Sequence, residues 1–188
     1  MDNINPFGLT KEIILEIMQE VTRKLEYFKI EVIDGFGLSL SNKNMSEIVS
    51  KIMEKSASEV LTEKMGFEVK SAKSDKEPDL FFTKLNKPLE IKVTSTISSW
   101  TGGEFSKRPF DYLLISWDSE TFNKFFVCLV HLKKEDWKSN FSNNYYGPSY
   151  NKKSLLNRKD KMIFLGDLVQ KGRAIQMIRE NPNQNILV

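Results

Sequence analysis

At 188 residues the chain has room for one domain, or for a catalytic domain with a helical appendage, but not for two full domains. Hydrophobic residues make up 40% and charged residues 28%, the balance of a globular chain with a proper core, and no apolar run approaches the roughly 20 residues that span a bilayer. Cys128 is the single cysteine and His131 the single histidine, which excludes an intrachain disulfide, a cysteine zinc site and a histidine-metal centre. Met1 to Pro6 has no basic segment leading into an apolar stretch, so no secretory signal is expected and the chain is read as intracellular, in the cytoplasm.

Residues 9–28 carry Ile13, Ile14, Ile17, Met18, Val21 and Leu25 at helical spacing, with Thr10 placed to cap, and predict an amphipathic helix. Asp34-Gly35-Phe36-Gly37 reads as a turn. A second helix is expected from about Ser46 to Lys64, and Gly66 stands where a C-cap belongs. Short strands follow at Phe67–Val69 and Leu80–Thr83, then a turn at Asn86-Lys87-Pro88 and a strand at Leu89–Thr94. After a loop holding Trp100, Gly102 and Gly103 come two apolar runs, Tyr112–Trp117 and Phe125–Leu132, which read as strands covered on both faces. Glu135–Asn151 lacks periodicity and reads as a long excursion. A segment near Met162–Leu165 and a short helix from about Leu168 to Arg179 complete the chain. This order indicates an α/β fold, a mixed central sheet flanked by helices with an N-terminal helix.

The net charge is +3, but its distribution is uneven. Acids are frequent in the first 70 residues. Lys133 to Arg179 has a basic excess, interleaved with Asn143, Asn144, Tyr145, Tyr146, Tyr150 and Asn151. Cations together with amide and aromatic groups suit nucleic acid, and a solvated lysine-rich surface is the alternative.

The chemistry-bearing stretch is Pro78-Asp79-Leu80 followed by Glu90-Ile91-Lys92. Strand alternation sets Glu90 and Lys92 on one face and Ile91 on the other. Asp79, at the start of the preceding strand, can bring a second carboxylate to the same patch. Two carboxylates so placed suit Mg²⁺, which keeps several waters and accepts phosphate oxygens, and Lys92 can orient a water or offset charge on a phosphate. A two-residue turn at Asn86-Lys87 would set Asp79 opposite Thr94, so the site requires a longer turn, a bulge or a bend. An exposed hairpin whose acid and lysine pair across strands is the alternative.

Pro78-Asp79 with Glu90-Ile91-Lys92 resembles the PD-(D/E)XK nuclease superfamily over roughly residues 46–132. The resemblance implies a restriction endonuclease-like core with Asp79, Glu90 and Lys92 catalytic. It also implies a further acid on the preceding helix, for which Glu59 is the best match and Glu54 and Glu47 are weaker ones. The metal set it implies is Asp79, Glu90 and Ile91, holding Mg²⁺. The chain is then a single nuclease domain over 1–188: an N-terminal helical region (1–45), a catalytic core (46–132), and a DNA-contacting loop with a C-terminal helix (133–188). Thr94, Ser95, Lys107 and Arg108 are assigned to the phosphate backbone of the substrate, and Asn143, Asn144, Tyr145, Tyr146, Asn151, Lys152 and Lys153 to the groove. The expected reaction is hydrolysis of phosphodiester bonds in double-stranded DNA by a type II restriction enzyme. A homodimer is expected, with the apolar stripe of residues 9–28 as one possible interface and packing on its own core as the other. The alternatives are a repair or junction-resolving nuclease of the same superfamily and a non-catalytic DNA-binding module. His131 and Cys128 read as structural residues.

Overall fold

The computed structural model describes residues 6–74, 76–95, 99–117, 124–138, 141–142, 145–146, 148–157, 162–171 and 174–179. Helix α1 (Lys11–Tyr27) starts at Thr10, whose side chain accepts from the Ile13 N–H. A π-helical segment, Phe28–Asp34, extends it before the chain turns at Gly37. Helix α2 (Asn42–Met65) is capped by Ser41, which accepts from the Asn44 N–H, and is stopped by Gly66 at φ +66°. That left-handed conformation costs glycine nothing and other residues about 1 kcal/mol or more. Then come β1 (Val69–Ser71), β2 (Leu80–Phe82), β3 (Lys87–Thr94), β4 (Ser99–Thr101), β5 (Phe110–Trp117) and β6 (Lys124–Leu132). The remainder comprises β7 (Phe141–Ser142), β8 (Tyr145–Tyr146), β9 (Ser149–Asn151), the short helix α3 (Lys152–Leu156), β10 (Met162–Lys171) and β11 (Ala174–Arg179).

Among the described residues one mixed sheet of seven strands runs β1-β2-β3-β5-β6-β10-β11. Its one parallel pair is β3 with β5, and its other pairs are antiparallel. The α/β class and the mixed sheet therefore agree with the expectation from the sequence. No helix among the described residues is long and apolar enough to cross a membrane.

Strand alternation divides the interior into two cores. Leu113, Ile115 and Trp117 of β5, with Phe125, Val127 and Leu129 of β6, face the helices. There they meet Val49, Met53, Ala57 and Leu61, which recur every four residues along α2. Ile14, Ile17, Met18, Val21 and Leu25 of α1 are buried in the same cluster. The stripe of α1 is thus consumed inside the chain and is no dimer interface, because the helix needs that face to cover α2 and the sheet. On the other face Tyr112, Leu114, Phe126, Cys128, Val130 and Leu132 lie under Trp100, Phe105, Trp137, Tyr150 and Leu155. Both central strands are therefore covered on both sides. Cys128 is a core thiol whose burial pushes its pKa up.

Two expectations need correction. The segment expected to be a C-terminal helix, Leu168 to Arg179, is an antiparallel hairpin in which β10 pairs with both β6 and β11. Val169, Ile175 and Ile178 favour extended backbone, and a short apolar run does not distinguish strand from helix by spacing alone. The excursion Glu135–Asn151 is not devoid of regular structure, since β9 pairs with β4 and ties it to Trp100.

Gly102-Gly103 is explained by packing. A Cβ on Gly102 would stand 2.8 Å from Ser106 Cβ and 3.0 Å from Pro148 Cγ, whereas one on Gly103 would find Lys92 Nζ at 3.7 Å as its nearest neighbour. Gly102→Ala should lower stability by about 1–3 kcal/mol in urea titrations, the usual cost of overpacking, and Gly103→Ala should change it far less.

Candidate active site

The β2–β3 hairpin decides whether Asp79 and Glu90 can meet. Its turn is Thr83–Asn86, closed by the Asn86 N–H donating to the Thr83 carbonyl at 3.3 Å, with Asn86 at φ +51°. Asparagine is among the few residues that accept that conformation readily. This four-residue connection pairs Phe82 with Lys87, Phe81 with Pro88 and Leu80 with Leu89. One step further along the same register, Asp79 comes opposite Glu90. The turn is thus longer than two residues and begins earlier than the sequence suggested, and no bulge is required.

Beyond Leu89 the strand changes partners. Its first part pairs with β2, and Glu90 to Thr94 pair with Tyr112 to Ser116 of β5. On the β2 side the ladder ends and side chains continue it. Asp79 Oδ2 accepts from the Ile91 N–H at 2.8 Å, and the Asp79 N–H points to Glu90 Oε2 at 3.4 Å. Lys92 Nζ donates to Glu90 Oε1 at 2.5 Å. The resulting cavity holds about 700 Å³ and is lined by Lys51, Glu54, Lys55, Ser71, Ala72, Lys73, Ser74, Glu77, Asp79, Glu90, Lys92 and Gly103 to Phe105. Asp79, Glu90 and Lys92 therefore stand together. Ile91 contributes its N–H to Asp79, and its side chain is buried in the helix-facing core.

Glu59 does not join them. Its carboxylate bonds Lys24 at 2.5 Å and stands 3.3 Å from Lys55 Nζ, and the Lys24 hydrogen bond holds its pKa below the ordinary value. The helix acid on the cavity is Glu54, which is 8% exposed and lies 2.7 Å from Lys51 Nζ. Helical geometry explains the difference. Glu54 is one turn before Ser58, whose hydroxyl donates to the Val69 carbonyl of β1, so this row faces the hairpin. Glu59 is five residues on, about 140° around the helix. Glu47 is exposed, with Lys43 Nζ at 4.0 Å.

The electrostatics follow from burial. Asp79 is pushed from an ordinary 3.8 up to about 7, first by burial and then by the charges of Glu90 and Glu54, with Lys92 and the Ile91 N–H opposing. Tyr112, the β5 partner of Glu90 in register, is fully buried, and burial followed by the Glu90 charge raises its pKa. Among the described residues no group of three or more His, Cys, Asp or Glu side chains is close enough to hold a metal ion as a ready-made cage. Mg²⁺ asks for less. One or two carboxylates with retained waters suffice for it, and Asp79 beside Glu90, with Glu54 near enough to raise the Asp79 pKa, meets that requirement. The residues fit a small, hard, hydrated dication.

The other assigned residues are scattered. Lys107 is paired with Glu104 at 2.6 Å, and the Arg108 guanidinium lies over Phe105 and Phe110. Thr94 and Ser95 are half-buried at the end of β3. Asn151 is engaged as a cap, accepting from the Ser154 N–H at 2.7 Å. Lys152 is 8% exposed and sits over the Phe126 ring at 4.2 Å, so it is unsuited to a groove. Its long apolar stem explains the burial. Lys153 is exposed. Asn143 and Asn144 lie outside the described residues, as do the side chains of Tyr145 and Tyr146. His131 Nδ1 lies 2.8 Å from Asp111 Oδ1 across the β5–β6 pair, outside the cavity lining. Lys51, Lys55 and Lys73, none of them a site residue expected from the sequence, also line the cavity. Their available signal was the four-residue spacing of Lys51 and Lys55 around Glu54.

Comparison with family models, with curated proteins and with solved structures finds no match.

The raised Asp79 pKa has a definite sign. Between pH 4 and 7 the unfolded chain has lost the proton that the folded chain keeps, so stability falls as pH rises and levels off above 7. Asp79→Asn removes this slope. Unfolding at pH 5 and pH 8 should show the wild type losing about 2–3 kcal/mol more than the variant, because about two pKa units of the shift lie between pH 5 and 7 at 1.36 kcal/mol each.

Proposed function

We propose that the chain is a divalent-metal-dependent endonuclease that hydrolyses phosphodiester bonds in double-stranded DNA. The observation that carries this reading is the hairpin register, which sets Asp79 against Glu90 with Lys92 bonded beside them in one cavity. On this reading Asp79 and Glu90 hold Mg²⁺, which when bound would lower the pKa of a water and offset charge on the phosphate. Lys92 then has two tasks open to it: its ammonium fixes Glu90 Oε1, and its remaining protons can donate to a water or to a non-bridging phosphate oxygen. Burial around Glu90 and Tyr112 keeps these interactions in a low dielectric, where each is worth more than in water. Glu54 supplies a further acid at the cavity, in the role first assigned to Glu59. Together these features favour the PD-(D/E)XK resemblance over an exposed ion-paired hairpin, because Glu90 is 4% exposed and surface pairs are not buried in this way.

The more specific reading is a sequence-specific type II restriction enzyme acting as a twofold dimer. Its interface must use a surface other than the α1 stripe.

Incubation with plasmid DNA and Mg²⁺ should convert supercoiled to nicked and linear forms, with discrete fragments if cutting is site-specific. Asp79→Ala, Glu90→Gln and Lys92→Ala should each lower the rate by two orders of magnitude or more, consistent with loss of a positioned electrostatic group. Mg²⁺ should raise the melting temperature of the wild type and leave that of Asp79→Ala unchanged. Cutting by the Asp79→Ala protein at the wild-type rate would overturn the assignment.

A further inference from the structure

The charges around the cavity are unevenly placed. Acids sit at its depth, where Glu90 and Glu54 are 4% and 8% exposed. Cations stand at its rim on one side. Lys51 and Lys55 project from α2 with side chains 71% and 65% exposed, and Lys73 is exposed just beyond β1. α2 and β1 form one wall, since Ser58 of α2 bonds the Val69 carbonyl. The facing wall, Gly103 to Phe105, contributes Glu104 as its only charged lining residue. Glu77, exposed on the lining, accepts from the Lys73 N–H at 2.8 Å, so three rim lysines stand against this one rim acid on the α2–β1 side, and the opposite side offers a polyanion no cation.

The spacing on this wall suits a chain of phosphates. Lys51 and Lys55 are one helical turn apart, with Cβ atoms roughly 5–6 Å from each other, so their ammonium groups can meet neighbouring charges on a strand. Both have carboxylate partners, Glu54 for Lys51 and Glu59 for Lys55. The Lys55–Glu59 pair is exposed and worth about 0–1 kcal/mol, so a phosphate can draw Lys55 across at little cost, whereas Lys51 can add a phosphate contact while keeping its bond to the buried Glu54. By contrast, Arg108 and Lys152, assigned from sequence to DNA, lie over Phe105 and Phe110 and over Phe126, and Lys107 stands outside the cavity lining.

We propose that Lys51, Lys55 and Lys73 form a phosphate rail along the α2–β1 wall, over which the DNA strand reaches the cavity. The proposal rests on the nuclease reading and adds to it the side from which the substrate lies down. Its signature is electrostatic, since each lysine–phosphate contact releases a counterion and steepens the salt dependence of binding by about one unit.

The test is binding of a short labelled duplex in Ca²⁺, followed by fluorescence anisotropy over a series of KCl concentrations. Lys55→Gln with Lys73→Gln, which leaves the Lys51–Glu54 contact in place, should make the slope of log affinity against log salt shallower by about two. Affinity at low salt should fall roughly tenfold or more. Each single variant should give about half the change in slope, which keeps the test intact should the double variant fold poorly. Lys84→Gln, in the hairpin turn at the far end from the cavity, should bind as the wild type does. If the wild type binds and the double variant and both singles keep its slope and affinity, the rail is wrong and the nuclease reading stands. If the wild type binds no duplex in Ca²⁺, the nuclease reading falls and the rail with it.

Discussion

The interaction on which the site depends is a bond between a side chain and a backbone amide. Where β2 ends, the Ile91 N–H has no strand carbonyl to meet, and Asp79 supplies a carboxylate oxygen at 2.8 Å. A buried amide left unpaired would cost about 1–3 kcal/mol, so the fold itself holds Asp79 at this position whatever chemistry follows. Glu90 is fixed from the other direction, by Lys92 on one oxygen and by the Asp79 N–H near the other. The same contacts that finish the sheet also gather the acids.

Gathering them is costly, and the cost is visible in Asp79. Burial and two carboxylate neighbours lift it to about 7, so at neutral pH the group is poised between its two protonation states. Such a poise is characteristic of sites that bind cations or move protons, although structural ion-pair networks also produce it. Here the cause can be traced to architecture. The hairpin, the flank of α2 and the Gly103–Phe105 segment each contribute one surface to the cavity, and the two cores on either side of the sheet keep those surfaces from separating.

Much of this was legible in the residues. Helical spacing located both long helices, Gly66 marked the end of the second, and the uninterrupted apolar runs at β5 and β6 indicated strands buried on both faces. Asp79, Glu90 and Lys92 were singled out because two acids and a lysine stood among strand-forming residues. The misplaced features have physical reasons. Glu59 and Glu54 lie on one helix, and only the hydrogen bond of Ser58 to β1 reveals which flank turns inward. The turn was set too late along the chain because Pro88 looked like punctuation, yet proline is tolerated in a strand where its missing donor is not needed. The last hairpin reads as a helix in the sequence because its apolar residues are too few to define a period. Lys152 reads as a surface cation by type, and its position over Phe126 depends on how α3 packs against the distant strand β6.

The four residues of the Thr83–Asn86 connection lie at the opposite end of the hairpin from the acids, yet their number determines which residues face each other there. Adding or removing one would carry Asp79 past Glu90 and strand the Ile91 amide. Descendants of this chain should therefore be free to vary the identity of those four residues, within the demand for a left-handed final position. Their count constrains the site as strictly as the acids themselves do.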